Sequence, residues 1–254
     1  MPRTVRLILF LVSMGGVAVA LPFVVAAMPE FGAHPLPYGD FINHAAPAQR
    51  HVTNIVTAVN FDYRGFDTLG EEIMLLAAVT GTAVLLRSRR EDSPADRPSR
   101  APGRPIPPRS EALVLAGRLF GPLTVVFGIY VVLHAQLTPG GGFQGGVIVA
   151  SGLLLAYLCE GYRPWRVLMP TGLLDALEGG GAAMYAVAGL APMAAGAHYL
   201  ENVLPPGQLR ALLSGGMILI LNWGVALAVA GGFGILFVDF LKETRAEQER
   251  EDET

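Results

Sequence analysis

The chain has 254 residues, of which 52% are hydrophobic and only 15% charged, with a net charge of −3. Soluble domains carry about 25% charged residues, so this composition points to lipid as the solvent, and the small negative charge argues against a nucleic-acid partner. The single cysteine, Cys159, excludes an intrachain disulfide and any multi-cysteine metal or iron–sulfur site, and no cofactor is expected.

The apolar residues gather into blocks of membrane-spanning length separated by polar connectors, which predicts an all-α integral membrane protein of about six transmembrane helices. The first block, Leu7 to Ala27, follows Arg3 and Arg6 and ends in Val25-Ala26-Ala27. That ending resembles a signal cleavage site, but the apolar run is longer than a signal h-region, so a span is the preferred reading. A long connector, 29–67, leads to the second span, Leu69 to Leu86. Here Thr68-x-x-Glu71 has the spacing of a capping box, and Glu71 shares a helical face with Asp67. Glu71 and Asp67 are therefore candidates for the ion or proton path, alongside their plain capping role. Glu72 points elsewhere on the helix, to snorkel or to pair with a partner subunit.

From Arg87 to Arg109, arginines alternate with prolines, which predicts an extended basic linker over 88–110. It divides the chain into a two-span module, 1–87, and a four-span module, 111–241. In the third span, Leu113 to Ala135, Arg118 lies near enough to one end to snorkel, and His134 closes the other end as a candidate proton group. Next comes Leu137-Thr138-Pro139-Gly140-Gly141-Gly142-Phe143-Gln144-Gly145-Gly146. Gly140, Gly142 and Gly145 satisfy a dinucleotide-binding pattern formally, but no strand precedes them and membrane spans flank them, so the match is accidental. The glycines instead suit close helix approach.

The fourth span, Gly145 to Cys159, is the shortest. In the fifth, Leu173 to Ala195, Glu178 lies about two turns in, beside Gly179, Gly180 and Gly181. A carboxylate at that depth is the best ion-path candidate, its competing role being, with Asp175, to complement the positive start of a helix. The sixth, Leu212 to Phe237, carries Asn222, a candidate for cation coordination or for an interhelical hydrogen bond, and glycines at packing positions. A charged tail, 242–254, follows. Basic residues cluster at Arg3 and Arg6, in the linker, at Arg163 and Arg166, and in the tail, while the connectors holding Pro139 and Pro205 are nearly free of positive charge. Six crossings put every basic cluster on one side, so both termini and the linker are expected in the cytoplasm, with 29–67 external, in a multi-pass protein of the inner (plasma) membrane.

The stretch Leu133-His134-Ala135-Gln136-Leu137-Thr138-Pro139-Gly140-Gly141-Gly142-Phe143-Gln144-Gly145-Gly146 resembles the signature of the B-type subunits of the Mrp-type multisubunit Na+/H+ antiporters. Leu221-Asn222-Trp223-Gly224 through Gly231-Gly232 looks like that family's last helix, so the resemblance covers about Ser110 to Lys242. Upstream, Arg64-Gly65-Phe66-Asp67-Thr68-Leu69-Gly70-Glu71 is similar to an element found at the C-terminal end of the large A-type subunits of the same antiporters, or as a small separate subunit in related membrane-bound hydrogenases. The resemblance implies two fused components forming an accessory subunit beside large complex-I-like subunits, with Na+ and H+ as transported ions. The alternative it implies is the sodium-translocating module of a redox-driven hydrogenase or respiratory complex. The chain departs from the pattern where Gln136 replaces a second histidine, and at Ala228, where the family's last helix often carries a charge. Its only lysine is Lys242, so it lacks the intramembrane lysines of the large subunits.

Overall fold

The computed structural model describes residues 3–28, 37–90, 110–160 and 170–252. All regular structure among them is helical. The chain divides into two compact units, residues 1–40 and 41–254. The first holds α1 (Arg3–Ala26), which is long and apolar enough to cross a membrane. Its side chains from Thr4 onward are exposed, a state that an apolar helix sustains only in lipid or against another protein.

The second unit takes up the chain within α2 (Pro37–Arg50), whose buried Ile42 and Ala46 lie one turn apart. The short α3 (Ile55–Ala58) runs into a π-helical turn, Val59–Tyr63. Long helices follow: α4 (Gly65–Arg90), α5 (Glu111–Leu133), α6 (Gly142–Glu160), α7 (Thr171–Ala194) and α8 (Met217–Asp252). Together with α1, the helices α4, α5, α6 and α8 qualify as spans by length and composition. The expected fifth span is the helix α7; its 24 residues give it about 36 Å of length, but Asp175, Glu178 and its glycines make it less apolar than the others.

Three local expectations are corrected. The last helix begins at Met217 and not at Leu212, because Gly215 and Gly216 take φ of 92° and 60° and Asn202 Oδ1 accepts the Met217 N–H at 3.0 Å, capping the helix from another segment. The capping box does not form: α4 starts at Gly65, Thr68 donates its hydroxyl to the Asn60 carbonyl at 2.7 Å, and Asp67 pairs with Arg64. The fourth span starts at Gly142, inside the glycine turn, so most of the signature glycines are helical. Most of the linker, residues 91–109, and Arg163 and Arg166 lie outside the described residues; the tail continues α8 as far as Asp252.

Glycines set the helix spacing. A Cβ on Gly128 of α5 would stand 2.9 Å from the Gly145 carbonyl of α6, and one on Gly146 would stand 2.8 Å from the Ala226 carbonyl of α8. On α7, a Cβ at Gly181 would meet the Gly224 carbonyl at 2.5 Å, and at Gly231 of α8 it would meet the Leu174 carbonyl at 2.7 Å. In lipid, where apolar side chains gain little from leaving their solvent, such backbone-to-backbone approach is a main source of helix association. The helix α4 packs on α8 and α7, so it shares one compact unit with the helices beyond the linker.

Candidate ion-path site

The segments between helices meet at one end of this bundle. Asn54 is buried there, and its amide nitrogen reaches the carbonyls of Ala135 at 2.7 Å and Thr138 at 2.9 Å, while the Gln136 carbonyl accepts the Thr53 and Asn54 N–H groups at 3.0 and 3.1 Å. The glycine turn is thus tied to the segment before α4. Gly140 holds φ at 148°, open to a residue without Cβ. Gln136, 1% exposed, donates to the Leu133 carbonyl at 3.2 Å and also to Leu212, binding the turn to the connector before α8. In this chain, the residue that replaces the family's second histidine is a structural clasp.

Glu178 lies on the buried face of α7 with Leu174, Gly181 and Tyr185, at helical spacing of four, three and four. It is 8% exposed, and its Oε1 finds no hydrogen-bond partner among the described residues. The Cβ position of Gly232 on α8 lies 3.5 Å from that oxygen and 3.1 Å from Val79 of α4, so the carboxyl sits where three helices converge. A Cβ on Gly179 or Gly180, the other glycines beside it, would meet nothing within 4 Å among the described residues. The close approach comes from Gly181 on its own helix and from Gly231 and Gly232 opposite. Ala228 lies against Gly181, one turn from Glu178, so a charged residue there would share this interface.

The other predicted residues are spread out. Asn222, 1% exposed, donates to the Val132 carbonyl of α5 at 2.9 Å, which is the interhelical bond, and its Oδ1 remains buried without a partner among the described residues. His134 caps α5, stacks on Tyr130 at 4.0 Å between ring centroids, and has Nδ1 3.0 Å from the Tyr130 carbonyl. Of the signature residues, Pro139 is exposed and Phe143 packs against the core cluster that includes Leu221 and Val225. Asp67 and Glu71 are not in the core: both are exposed.

Sequence reasoning missed Glu72. It is 1% exposed and both carboxyl oxygens are buried with no hydrogen-bond partner among the described residues. The signal was its position: α4 buries Thr68, Glu72 and Val79, spaced by four and seven, a helical stripe that excludes Glu71. Close by, Tyr185, fully buried, donates its hydroxyl to the Gly65 carbonyl at 2.8 Å.

Above Gly65 opens a cavity of about 570 Å³ lined by charged groups, among them Arg50, Asp62, Arg64, Asp67, His198 and Glu201. Arg50 pairs with Asp62 at 2.6 Å and lies 5.6 Å over the Tyr63 ring, while Asn202 donates to the same Asp62 oxygen at 2.9 Å. The backbone N–H and ring of His198, at 2.8 and 3.0 Å, hold the Glu201 carboxyl below its usual pKa range, and burial raises that of the Tyr199 phenol.

A glycine-packed bundle enclosing carboxylates, joined to a helix exposed along its length, defines a multi-pass membrane subunit. Residues 112–235 match the family model of the domain related to the MnhB subunit of Na+/H+ antiporters. The chain belongs to that family. It is 31% identical over 196 residues to an uncharacterized protein of Methanocaldococcus jannaschii, covering 71% of this chain and 74% of that protein. It is 28% identical over 176 residues to a probable K(+)/H(+) antiporter protein of Rhizobium meliloti, named as a combined A/B subunit, covering 63% of this chain and only 17% of that longer protein. Two solved structures share the fold. A chain of the membrane-bound sulfane sulfur reductase, an archaeal respiratory membrane complex, superposes with a TM-score of 0.71 at 28% identity, over 93% of this chain and 98% of that one. One from the Mrp complex of a Dietzia species gives 0.70 at 24% identity, over 96% of this chain and 27% of that one.

Proposed function

We propose that this chain is an accessory subunit of a multisubunit monovalent cation/proton antiporter, and that it takes part both in assembly and in the ion path. The observation that carries the reading is the buried Glu178 carboxyl at the junction of α4, α7 and α8, within a chain whose residues 112–235 match an antiporter-subunit family. An intramembrane carboxylate is costly unless it is protonated, paired or hydrated, so its presence marks a functional route. The exposed α1 and the exposed apolar faces of α4 and α5 fit lipid and large partner subunits. Residues 1–87 and 111–241 are two fused components, a reading supported by the match to a relative whose name joins the A and B components. The likeness to a respiratory membrane complex favours, as second reading, service as the ion module of a redox-driven assembly.

The deciding experiment is purification through a tag on this chain in mild detergent, then reconstitution with a pH-sensitive dye. Copurified large membrane subunits and proton flux driven by a Na+ or K+ gradient are expected. Cysteine-rich soluble subunits in the preparation would shift the assignment to the redox-driven complex, and a chain that purifies alone would sink both. Orientation follows from the arginine bias, with the glycine-turn end external. Tags within residues 93–104 and after Glu253 should therefore be digested by protease only from the cytoplasmic side, and a tag near Pro205 only from outside; the reverse pattern would overturn the topology.

A further inference from the structure

We infer that the oxygen cage around the Asn54 amide nitrogen is a seat for a monovalent cation, which the amide occupies as a tethered stand-in and yields when the ion enters. The inference deepens the antiporter reading, from which the class of ion is taken, and it names a site that Glu178 does not supply.

Four oxygens surround Asn54 Nδ2: Thr57 Oγ1 at 2.8 Å and the carbonyls of Ala135, Thr138 and Gly140 at 2.7, 2.9 and 3.4 Å. Only a nitrogen fits there, since an amide oxygen would face nothing but oxygens. An amide nitrogen has just two hydrogens to give, and Thr57 already donates its own to the Ala135 carbonyl at 2.8 Å. The cage therefore holds more acceptors than the amide can serve. A ring of carbonyl oxygens that replaces a hydration shell is how backbone binds alkali cations, and these contacts exceed the ~2.3–2.6 Å that Ca2+ takes. None of the four ligands is a carboxylate, which again suits a single charge.

The surroundings agree. The three carbonyls follow the C-terminal end of α5, where the helix dipole is negative, and Gly140 presents its carbonyl from a φ of 148° that favours glycine. Beside the turn, Gln136 Oε1 and Asn222 Oδ1 are buried acceptors with no donor among the described residues. Thr53 and Thr138 are exposed, so the cage lies just beneath the surface, on the external side by the arginine bias.

Asn54 also has another place to go. It is the N-cap residue of α3, yet its side chain makes no capping bond. Rotation out of the cage would let Oδ1 accept the free Thr57 N–H, the usual bond of an asparagine at that position, which offsets the loss of the cage contacts.

The test is Asn54→Ala in the purified complex, heated in K+, in Na+ and in N-methylglucamine at equal ionic strength. An alkali cation well above its Kd should replace the missing amide and raise the melting temperature by ~3 °C or more over N-methylglucamine. Asn202→Ala, which removes an amide that caps α8 from outside the cage, should lose stability alike in all three salts. Equal melting of Asn54→Ala in every salt, or failure to assemble in any of them, overturns the inference and leaves Asn54 a clasp. Thr57→Val supplies a second reading, since it removes one cage oxygen at nearly constant volume: the cation concentration for half-maximal flux should rise severalfold with maximal flux kept, and an unchanged concentration would count equally against the seat. The melting measurement needs no transport, so its failure leaves the antiporter reading standing, and failure of that reading leaves the cage still testable.

Discussion

Gly181→Val is expected to abolish recovery of the assembled complex. A Cβ at this position would meet the Ala228 nitrogen and stand 2.5 Å from the Gly224 carbonyl, both backbone atoms of α8 that cannot turn aside as a side chain would. The helices α7 and α8 must then separate, which costs on the order of 3 kcal/mol for overpacking before any partner contact is counted. A membrane bundle has little hydrophobic driving force between helices to offset that loss. The comparison is Gly180→Val, since a Cβ there meets nothing among the described residues. Thermal stability in detergent, read by size-exclusion recovery after heating, should drop sharply for the first variant and little for the second. Equal recovery of both would show that α7 and α8 do not meet as described. Should Gly180→Val leave this chain stable yet lose the large subunits, Gly180 would mark the partner-facing side of α7.

Glu178→Gln should assemble and yet lose most transport. The substitution keeps volume and removes ionisation, so close packing against Gly231 and Gly232 survives while the carboxyl can no longer exchange a proton. Proton-handling groups are worth about 10²-fold or more where the step they serve limits the rate, and a fall of at least ~10-fold in cation-driven proton flux is expected. Asp175→Asn is the companion measurement; Asp175 is exposed near the start of α7, and its loss should cost little. Assembly is judged by copurified subunits and flux by a pH-sensitive dye in vesicles. Wild-type flux in an assembled Glu178→Gln complex would leave the carboxyl with packing alone.

The sequence by itself determined the class, the long helices and the family, because those depend on quantities local to the chain. Runs of apolar residues as long as a bilayer is thick mark spans wherever they pack, and the Pro139 to Gly146 signature is recognisable without coordinates. Glu178 was legible for the same reason, being a carboxylate two turns into a largely apolar helix. Between Glu71 and Glu72 the sequence could not decide, since both adjoin the start of the same span and only the rotation of α4 against α7 and α8 leaves one exposed and the other buried. The three glycines after Glu178 likewise read as equivalent, yet among the described residues only Gly181 meets backbone of another helix. Helix ends set by distant partners were hidden too: Asn202 caps α8 from across a loop, and Asn54 holds the glycine turn from a segment some eighty residues earlier. Composition and length fix what dissolves in lipid, whereas rotation, close approach and long-range hydrogen bonds fix which buried carboxyl has no partner, and those exist only once the helices have packed.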